Sequence, residues 1–480
     1  MPWKFGSLLA RRQAAGSFRT PPCSARGPER CLLSLLRERH PRRSSVIQVH
    51  AQLITAGCHR KPAGEAALRL WNAILRHYSM GSFPQEALLL YGQTHHHGGA
   101  ADSFTFSFLI KACANLSQPE KGRQVHGITI KKGFHPGVYV QTALLNMYCE
   151  CRLLDEAGQV FDEMPDKNPV TWNAMITGLA RYGEIDRARL TFEQMNHRNL
   201  ISWTCLIDGY TRACRFHEAL LLFCQMMAEG LSPTEVTILA IVPSICGVGS
   251  LDLAGSIHAF CDKGGLAIAD IRVCNCLIDM YAKCGSIDLS LRAFEEISGG
   301  RNLVSWTSII SGFAIHGLAE EVMELLEGME KDGFRPNRVT FLSILNACSH
   351  GGLVEEGVKL FSSMVSLHGV EPEIKHYGCV IDMLGRVGRL EEAEKMILQL
   401  PVAANVVLWR TLLNCCGIHG DSETGKRAMR RVLEIEKGYA GDYVTFSNTL
   451  TGAGRFGDAE GVRRLMDERD VAKIPGHSLV

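Results

Sequence analysis

The sequence is short of several things that would point to chemistry. No two of its 18 cysteines are spaced C-x-x-C, and none of its 18 histidines is followed two residues on by glutamate. A zinc centre that takes one ligand and a proton shuttle from H-x-E and two more ligands from C-x-x-C has no residues here. No stretch reaches the ~18 uninterrupted apolar residues of a membrane span, so no span and no membrane partner are expected. Net charge is nearly absent, at 51 Lys+Arg against 50 Asp+Glu, so bulk charge gives no support for nucleic-acid binding. Aromatic residues are only 7%, with six tryptophans.

What is present is length and a capacity for a core. The chain has 480 residues, 46% of them hydrophobic, which excludes global disorder and implies either about three domains or one extended array. The charge balance hides an asymmetry. Residues 1–43 carry nine arginines and one lysine against Glu29 and Glu38, which leaves an excess of seven acidic groups on the remainder. An Arg-rich, Ser-containing, acid-poor start without a continuous apolar segment reads as an organelle transit peptide over residues 1–45, the alternative being a basic arm that touches RNA. The Arg excess over Ser favours a mitochondrion over a chloroplast. The cysteines fall in apolar stretches such as LIKACANL and ILNACSH, which suits reduced, buried, small hydrophobes.

The few tryptophans expose a period. Trp71, Trp172, Trp203, Trp306 and Trp409 are separated by 101, 31, 103 and 103 residues, in the contexts RLWNAIL, VTWNAMI, ISWTCLI, VSWTSII and VLWRTLL. The blocks VQTALLNMYCEC, VCNCLIDMYAKC and YGCVIDMLGRVG recur between them. The repeats fall at 68–102, 103–137, 138–168, 169–199, 200–234, 235–270, 271–302, 303–337, 338–373 and 374–405, with a degenerate partial repeat at 46–67. Each reads as two amphipathic helices. In 303–337, LVSWTSIISGFAIHG ends near Gly317, and Val322, Leu325, Leu326 and Met329 line one face of the second helix. Pro233, Pro336 and Pro372 mark junctions. A hairpin of this size cannot bury its apolar face alone, so neighbours must stack.

The spacing, the VxSWxxLI openings, the NMY and DMYAKCG blocks and the SPT and RPN junctions resemble pentatricopeptide repeats. The alternation of 35, 36 and 31 residues resembles the PLS subfamily of plant organelle proteins. Residues 406–442 and 443–480 resemble the helical extension motifs of its E-type members, and the terminal PGHSLV resembles their PGxSxI ending. The resemblance implies an all-α fold, a right-handed superhelical α-solenoid of helix-turn-helix repeats, and a single-stranded organelle RNA as partner. A DYW deaminase domain follows the extension in some members. With neither H-x-E nor C-x-x-C present, no catalytic residue, metal ligand or cofactor is expected, and the chain is not expected to be an enzyme. His95–His97 resembles a metal cluster by composition alone.

In this family the fifth and last residues of each repeat carry a base code, which suits Asn, Thr and Asp because they donate or accept at a fixed height. The resemblance assigns Asn72 with Asp102 to uracil, Thr142 with Asn168 and Thr307 with Asn337 to adenine, and Asn173 with Asn199 and Asn275 with Asn302 to a pyrimidine. Thr204 with Thr234 departs from the code. Ser107/Gly137, Leu239/Asp270, Leu342/Glu373 and Gly378/Asn405 supply no assignable pair. Val170, Ile201 and Val304 are the candidate wedges between bases. The implied target is 5′-U-n-A-Y-n-n-Y-A-n-n-n-n-n-C-3′, and the implied role is site recognition for C-to-U editing, with a DYW-type deaminase and other editing-complex proteins supplied in trans. Each Asn or Thr has a plainer use as a helix cap. The tryptophans have two uses, base stacking or packing, and their place beside Ile or Leu favours packing. Rival readings are RNA stabilisation, processing or splicing, and a protein-binding helical-repeat scaffold, whose uniform ~34-residue period fits less well.

Overall fold

The structure, a computed structural model, describes residues 46–48, 50–51, 65–96, 101–297, 300–401 and 404–471. The expected transit peptide, most of the partial repeat, the His95–His97 side chains and the PGHSLV ending lie outside the described residues. Those described are all-helical, without a strand, and none of their helices is long and apolar enough to cross a membrane.

Residues group into two units. In the first, up to Ala213, the hairpins are Glu65–Met80 with Pro84–His96, Ser103–Asn115 with Pro119–Lys131, Val138–Glu150 with Leu154–Glu163, and Pro169–Arg181 with Ile185–Glu193, followed by Leu200–Arg212. The second begins with Phe216–Ala228. It continues through leading helices at Glu235–Val248, Ile271–Lys283, Leu303–Ile315, Arg338–Gly351 and Ile374–Arg386, each with its trailing helix. Two further hairpins, Val406–His419 with Ser422–Ile435 and Ala440–Gly452 with Phe456–Glu468, complete it. Within each unit leading helix packs on leading helix, and the core is the row of buried Ile and Leu between them: Leu144, Ile176 and Leu206 in one, Ile278, Ile309, Ile344 and Ile381 in the other.

Two glycines show how the hairpin is made. Gly317 takes φ +73° between its two helices, a left-handed conformation that costs a side-chain-bearing residue about 1–2 kcal/mol. The same turn is made at a non-glycine by Ser117, Arg152 and Cys214. Gly312 lets leading helices approach: a Cβ there would lie 2.9 Å from the Ala282 Cβ of the preceding one.

Trailing helices come in two lengths. Those at Pro119–Lys131, Leu251–Lys263, Ala319–Lys331 and Val354–Ser366 have 13 residues, whereas Leu154–Glu163 has 10 and Ile185–Glu193, Ile287–Glu295 and Leu390–Leu398 have nine. One hairpin departs from the two-helix reading. After Gly265 at φ +65°, residues Leu266–Ala269 form an additional short helix, because the Gly264-Gly265 pair ends the trailing helix and leaves an apolar LAIA segment before Asp270 caps the next.

The tryptophans pack. Trp71, Trp203, Trp306 and Trp409 are buried, and Trp172 is half-buried. Three of them meet a phenylalanine of the preceding trailing helix edge-on, Phe161–Trp172, Phe192–Trp203 and Phe294–Trp306, at 4.8–4.9 Å between ring centres. Of the cysteines, Cys113, Cys149, Cys261, Cys284, Cys348, Cys415 and Cys416 are buried, whereas Cys214 and Cys224 are exposed. Burial pushes the thiols of Cys149, Cys246, Cys276 and Cys416 up to about 12, which leaves them unreactive at neutral pH.

Candidate nucleic-acid interface

The last residue of a hairpin does two things at once, because it is also the N-cap of the next leading helix. Asp102, Asn168, Asn199, Asn302 and Asn337 all have extended backbone there. Each accepts a hydrogen bond from the backbone N–H three residues on, belonging to Thr105, Thr171, Ser202, Ser305 and Thr340 respectively, at 2.8–2.9 Å. That bond satisfies one of the donors a helix start leaves open. The plainer capping use of these residues is therefore real, and it fixes the side chain rather than competing with a second use.

The fifth residue of one hairpin then meets the last residue through the following helix start. Asn72 Nδ2 donates to both carboxylate oxygens of Asp102 at 3.0 Å, and the Thr105 hydroxyl donates to Asn72 Oδ1 at 2.7 Å. Asn275 Nδ2 donates to Asn302 Oδ1 at 3.4 Å, and the Ser305 hydroxyl donates to Asn275 Oδ1 at 2.7 Å. Thr142 reaches Thr171 hydroxyl to hydroxyl at 2.9 Å, and the Thr171 hydroxyl reaches Asn168 Oδ1 at 3.1 Å. Thr307 and Thr340 repeat that arrangement at 3.2 Å, with the Thr340 hydroxyl 3.1 Å from Asn337 Oδ1. Four of the five coded pairs are thus joined, directly or through the hydroxyl of the next helix start.

The fifth coded pair differs. There the Ser202 hydroxyl and N–H both go to Asn199 Oδ1 at 2.9 Å, and Asn173 Oδ1 is buried without a hydrogen-bond partner. Thr204 donates back to the Leu200 carbonyl at 2.8 Å, and the Thr234 N–H lies 3.4 Å from the Thr237 hydroxyl. At the unassigned positions, Ser107 bonds back to the Ser103 carbonyl at 2.8 Å, and Leu239 and Leu342 are half-buried.

The third-residue hydroxyls of Thr105, Thr171, Ser305 and Thr340 had no part in the sequence reading, although the spacing Asx-x-x-Ser/Thr is a visible helix-start signature. Neither did most of the exposed apolar row one residue in from many leading-helix starts, a position held by Arg272 and Lys375 in two others. Val170, Ile201 and Val304 are 64, 61 and 56% exposed, and Phe104, Tyr139, Val236, Val339 and Val407 are similarly open, at 55–75%. Each lies three residues before a fifth position, so both side chains share one helix face.

Cations sit at the far end of the same helices. Arg181, Arg212, Lys283 and Arg386 occupy last turns, where the helix dipole favours them. Each is already paired, with Glu150, Asp208, Asp279 and Asp382 respectively. No group of three or more His, Cys, Asp or Glu able to hold a metal ion occurs among the described residues.

Stacked hairpins whose last residue caps the next leading helix, and in four cases joins the fifth residue, define a helical-repeat protein. The chain belongs to the plant pentatricopeptide repeat family and is an E-type member of it. The family model described as "PPR repeat" matches residues 142–168, 170–200, 272–299, 339–368 and 375–401, the one described as "PPR repeat family" matches 198–247 and 301–350, and "E motif" matches 419–480. The chain is 46% identical, over 93% of its length and 92% of the relative's, to the pentatricopeptide repeat-containing protein At1g09220, mitochondrial, of Arabidopsis thaliana. It is 41% identical to At5g56310 of the same plant, over 79% of this chain and 72% of that one. Its fold is that of the crystal structure of the pentatricopeptide repeat protein PPR10 from maize, with a TM-score of 0.64 at 18% identity, over 93% of this chain and 69% of that one.

Proposed function

We propose that the chain is a sequence-specific single-stranded-RNA-binding protein of a plant organelle that selects sites for C-to-U editing and recruits a DYW-type deaminase in trans. The observation that carries the reading is the joint of Asn72, Asp102 and Thr105 and its counterparts. It recurs at Thr142, Asn275 and Thr307, and at Thr142 and Thr307 it lies beside an exposed apolar side chain, Tyr139 or Val304.

The chemistry of the joint suits bases. Asn72 offers an amide N–H and Asp102 a carboxylate, so an acceptor and a donor lie side by side. Uracil complements that set with a carbonyl and the adjacent ring N–H, whereas the cytosine ring nitrogen has no proton to give the carboxylate. Replacing the carboxylate by an amide, as in Asn275 with Asn302, removes that distinction and leaves a pyrimidine preference. The exposed apolar row supplies faces for bases to stack against. The excess of acidic groups and the pairing of Arg181, Arg212, Lys283 and Arg386 imply that base contacts carry more of the affinity than phosphate contacts. The E motif and the mitochondrial relative support the finer role and a mitochondrial location. The chain's residues offer nothing for the deamination step itself, and this is why the deaminase is placed in a partner.

Two measurements test the reading. Titration against the 5′-U-n-A-Y-n-n-Y-A pattern and against a scrambled RNA should give a preference of at least ten-fold. Equal binding to both would defeat it. Sequencing organelle transcripts from plants with and without the gene should show loss of conversion at one or a few cytidines downstream of such a pattern. Intact editing beside missing or misspliced transcripts would move the role to RNA maturation.

A further inference from the structure

Three of the four short trailing helices are followed by one shared device. Lys167, Arg198 and Arg301 each occupy the position immediately before a base-assigned asparagine, namely Asn168, Asn199 and Asn302. Each folds back on the helix that precedes it. Lys167 Nζ donates to the Met164 carbonyl at 2.7 Å and lies 5.0 Å from the centre of the Phe161 ring. Arg198 donates to the Phe192 carbonyl at 3.3 Å and the Glu193 carbonyl at 3.1 Å, and sits 5.0 Å over the Phe192 ring. Arg301 donates to the Phe294 carbonyl at 3.3 Å, sits 4.3 Å over the Phe294 ring, and is 5.8 Å from the Trp306 ring. The same phenylalanines hold Trp172, Trp203 and Trp306 edge-on.

Each cation therefore does three things with one side chain. It satisfies carbonyls that a helix end leaves open, it places a positive charge at the negative end of the helix, and it covers an aromatic face. In four hairpins with 13-residue trailing helices the equivalent position is Pro136, Pro233, Pro336 or Pro372, before Gly137, Thr234, Asn337 and Glu373, whereas Ala101 and Ala269 hold it before Asp102 and Asp270. Proline fixes the backbone entering the cap by its ring. Where the hairpin is short, the side chain of a cation holds that same backbone from outside. The hairpin at 374–405 has neither, since Ala404 precedes Asn405.

We propose that Lys167, Arg198 and Arg301 are positioning residues, which clamp the end of each short hairpin so that Asn168, Asn199 and Asn302 stand at the height needed to discriminate bases. The inference rests on the base-reading function proposed above. It assigns the cations to specificity and not to phosphate binding, because their donors are directed at carbonyls and their faces at rings.

The test uses the full chain and four RNAs that differ only at the nucleotide facing Asn275 and Asn302. The wild-type protein is compared with Arg301→Gln, Arg301→Lys and, as an independent joint, Arg198→Gln with its own four RNAs. The expected result is that Arg301→Gln lowers the pyrimidine preference about three- to five-fold. Affinity for the purine-bearing RNAs, the salt dependence and the adenine preference at Thr307 and Asn337 should stay unchanged, and Arg301→Lys should recover most of the loss. A uniform loss over all four RNAs, with a salt slope smaller by about one, would make Arg301 a phosphate contact and overturn the proposal. Unchanged preference in both Arg301→Gln and Arg198→Gln overturns it as well. If the wild-type protein shows no preference and Asn302→Ala binds like it, the base-reading function itself has failed, an outcome distinct from failure of the clamp alone.

Discussion

Asn72 and Asp102, thirty residues apart as the fifth and last residues of one hairpin, are bound to each other: one amide nitrogen lies 3.0 Å from both carboxylate oxygens. The pair is held in the free protein, so the order that the proposed base recognition needs is already present. Preorganisation of this kind lowers the cost of binding. The third partner, Thr105, completes the arrangement by donating to Asn72 and capping through Asp102.

Asp102→Asn separates the two roles of the residue. Asparagine caps a helix as well as aspartate does, so the melting free energy should move by less than about 0.5 kcal/mol. The uracil preference at the first nucleotide should relax to a pyrimidine preference, with cytosine-bearing RNA gaining roughly ten-fold, or about 1.4 kcal/mol. Binding curves for the U and C forms check it, and an unchanged ratio would show that the carboxylate does not face the base.

Acid should weaken the first unit through His126. Its Nδ1 lies 2.8 Å from the Tyr148 hydroxyl, its Nε2 is buried without a partner, and its ring stacks on His135 at 5.2 Å. Burial, with His135 adding to it, holds the pKa below the ordinary 6.5. A depressed folded-state value means that the unfolded chain takes up the proton first. Stability is therefore intact above about pH 6.5 and falls as the pH drops below it. The slope is at most about 1.4 kcal/mol per pH unit, and less for a ring that is only half-buried. Thermal melts from pH 7.5 to 5 should show the decline, and His126→Gln should flatten it.

The extension hairpins carry one ion pair that matters for stability. Arg410 binds both oxygens of Asp442 at 2.8–3.0 Å, and the Asp442 side chain is only 5% exposed. Arg410 also reaches Glu436 at 3.1 Å and covers the Tyr439 ring at 4.5 Å. Asp442→Ala should cost about 2–3 kcal/mol, below the 3–5 of a fully buried pair, because Glu436 still neutralises the arginine. Urea denaturation measures it. A change below about 0.5 kcal/mol would show that the pair is dispensable.

Cys214 combines exposure with φ +56°, the conformation that Gly317 adopts at the same place in its hairpin. Brief maleimide treatment of the native protein should label Cys214 and Cys224 first among the described cysteines. Cys214→Gly should remove one fast-reacting site and stabilise the protein by roughly 0.5–1 kcal/mol. Early labelling of Cys276 or Cys416 would contradict the burial described above.

The helical hairpins were legible in the sequence because their signals are local and redundant. A tryptophan beside Ile or Leu, a glycine at the turn and a proline at the junction recur in one order, so loss of any one leaves the others. The short helix Leu266–Ala269 was not legible, since LAIA before Asp270 looks like the continuation of an apolar face and only the paired glycines break it. At the interface, the residues that carry opposite polarity were readable one by one. Their mutual bonding was not, because Asn72 and Thr105 meet only after two leading helices have stacked. Nor could composition separate Asn173, whose carbonyl is left without a partner, from Asn275, whose carbonyl is bonded.

In the base-reading function proposed above, the joint of Asn72, Asp102 and Thr105 also sets where this chain can be cut and recombined in evolution. The structural block runs from cap to cap, but the informational block runs from the middle of one leading helix to the first turn of the next. A gene duplication or crossover that copies a whole hairpin therefore splits one recognition triad at each border and mixes it with a stranger's hydroxyl. New targets should be gained with less disturbance by exchanges whose borders fall between the first turn of a leading helix and its fifth residue. Under that function, each recognition unit is written across two hairpins.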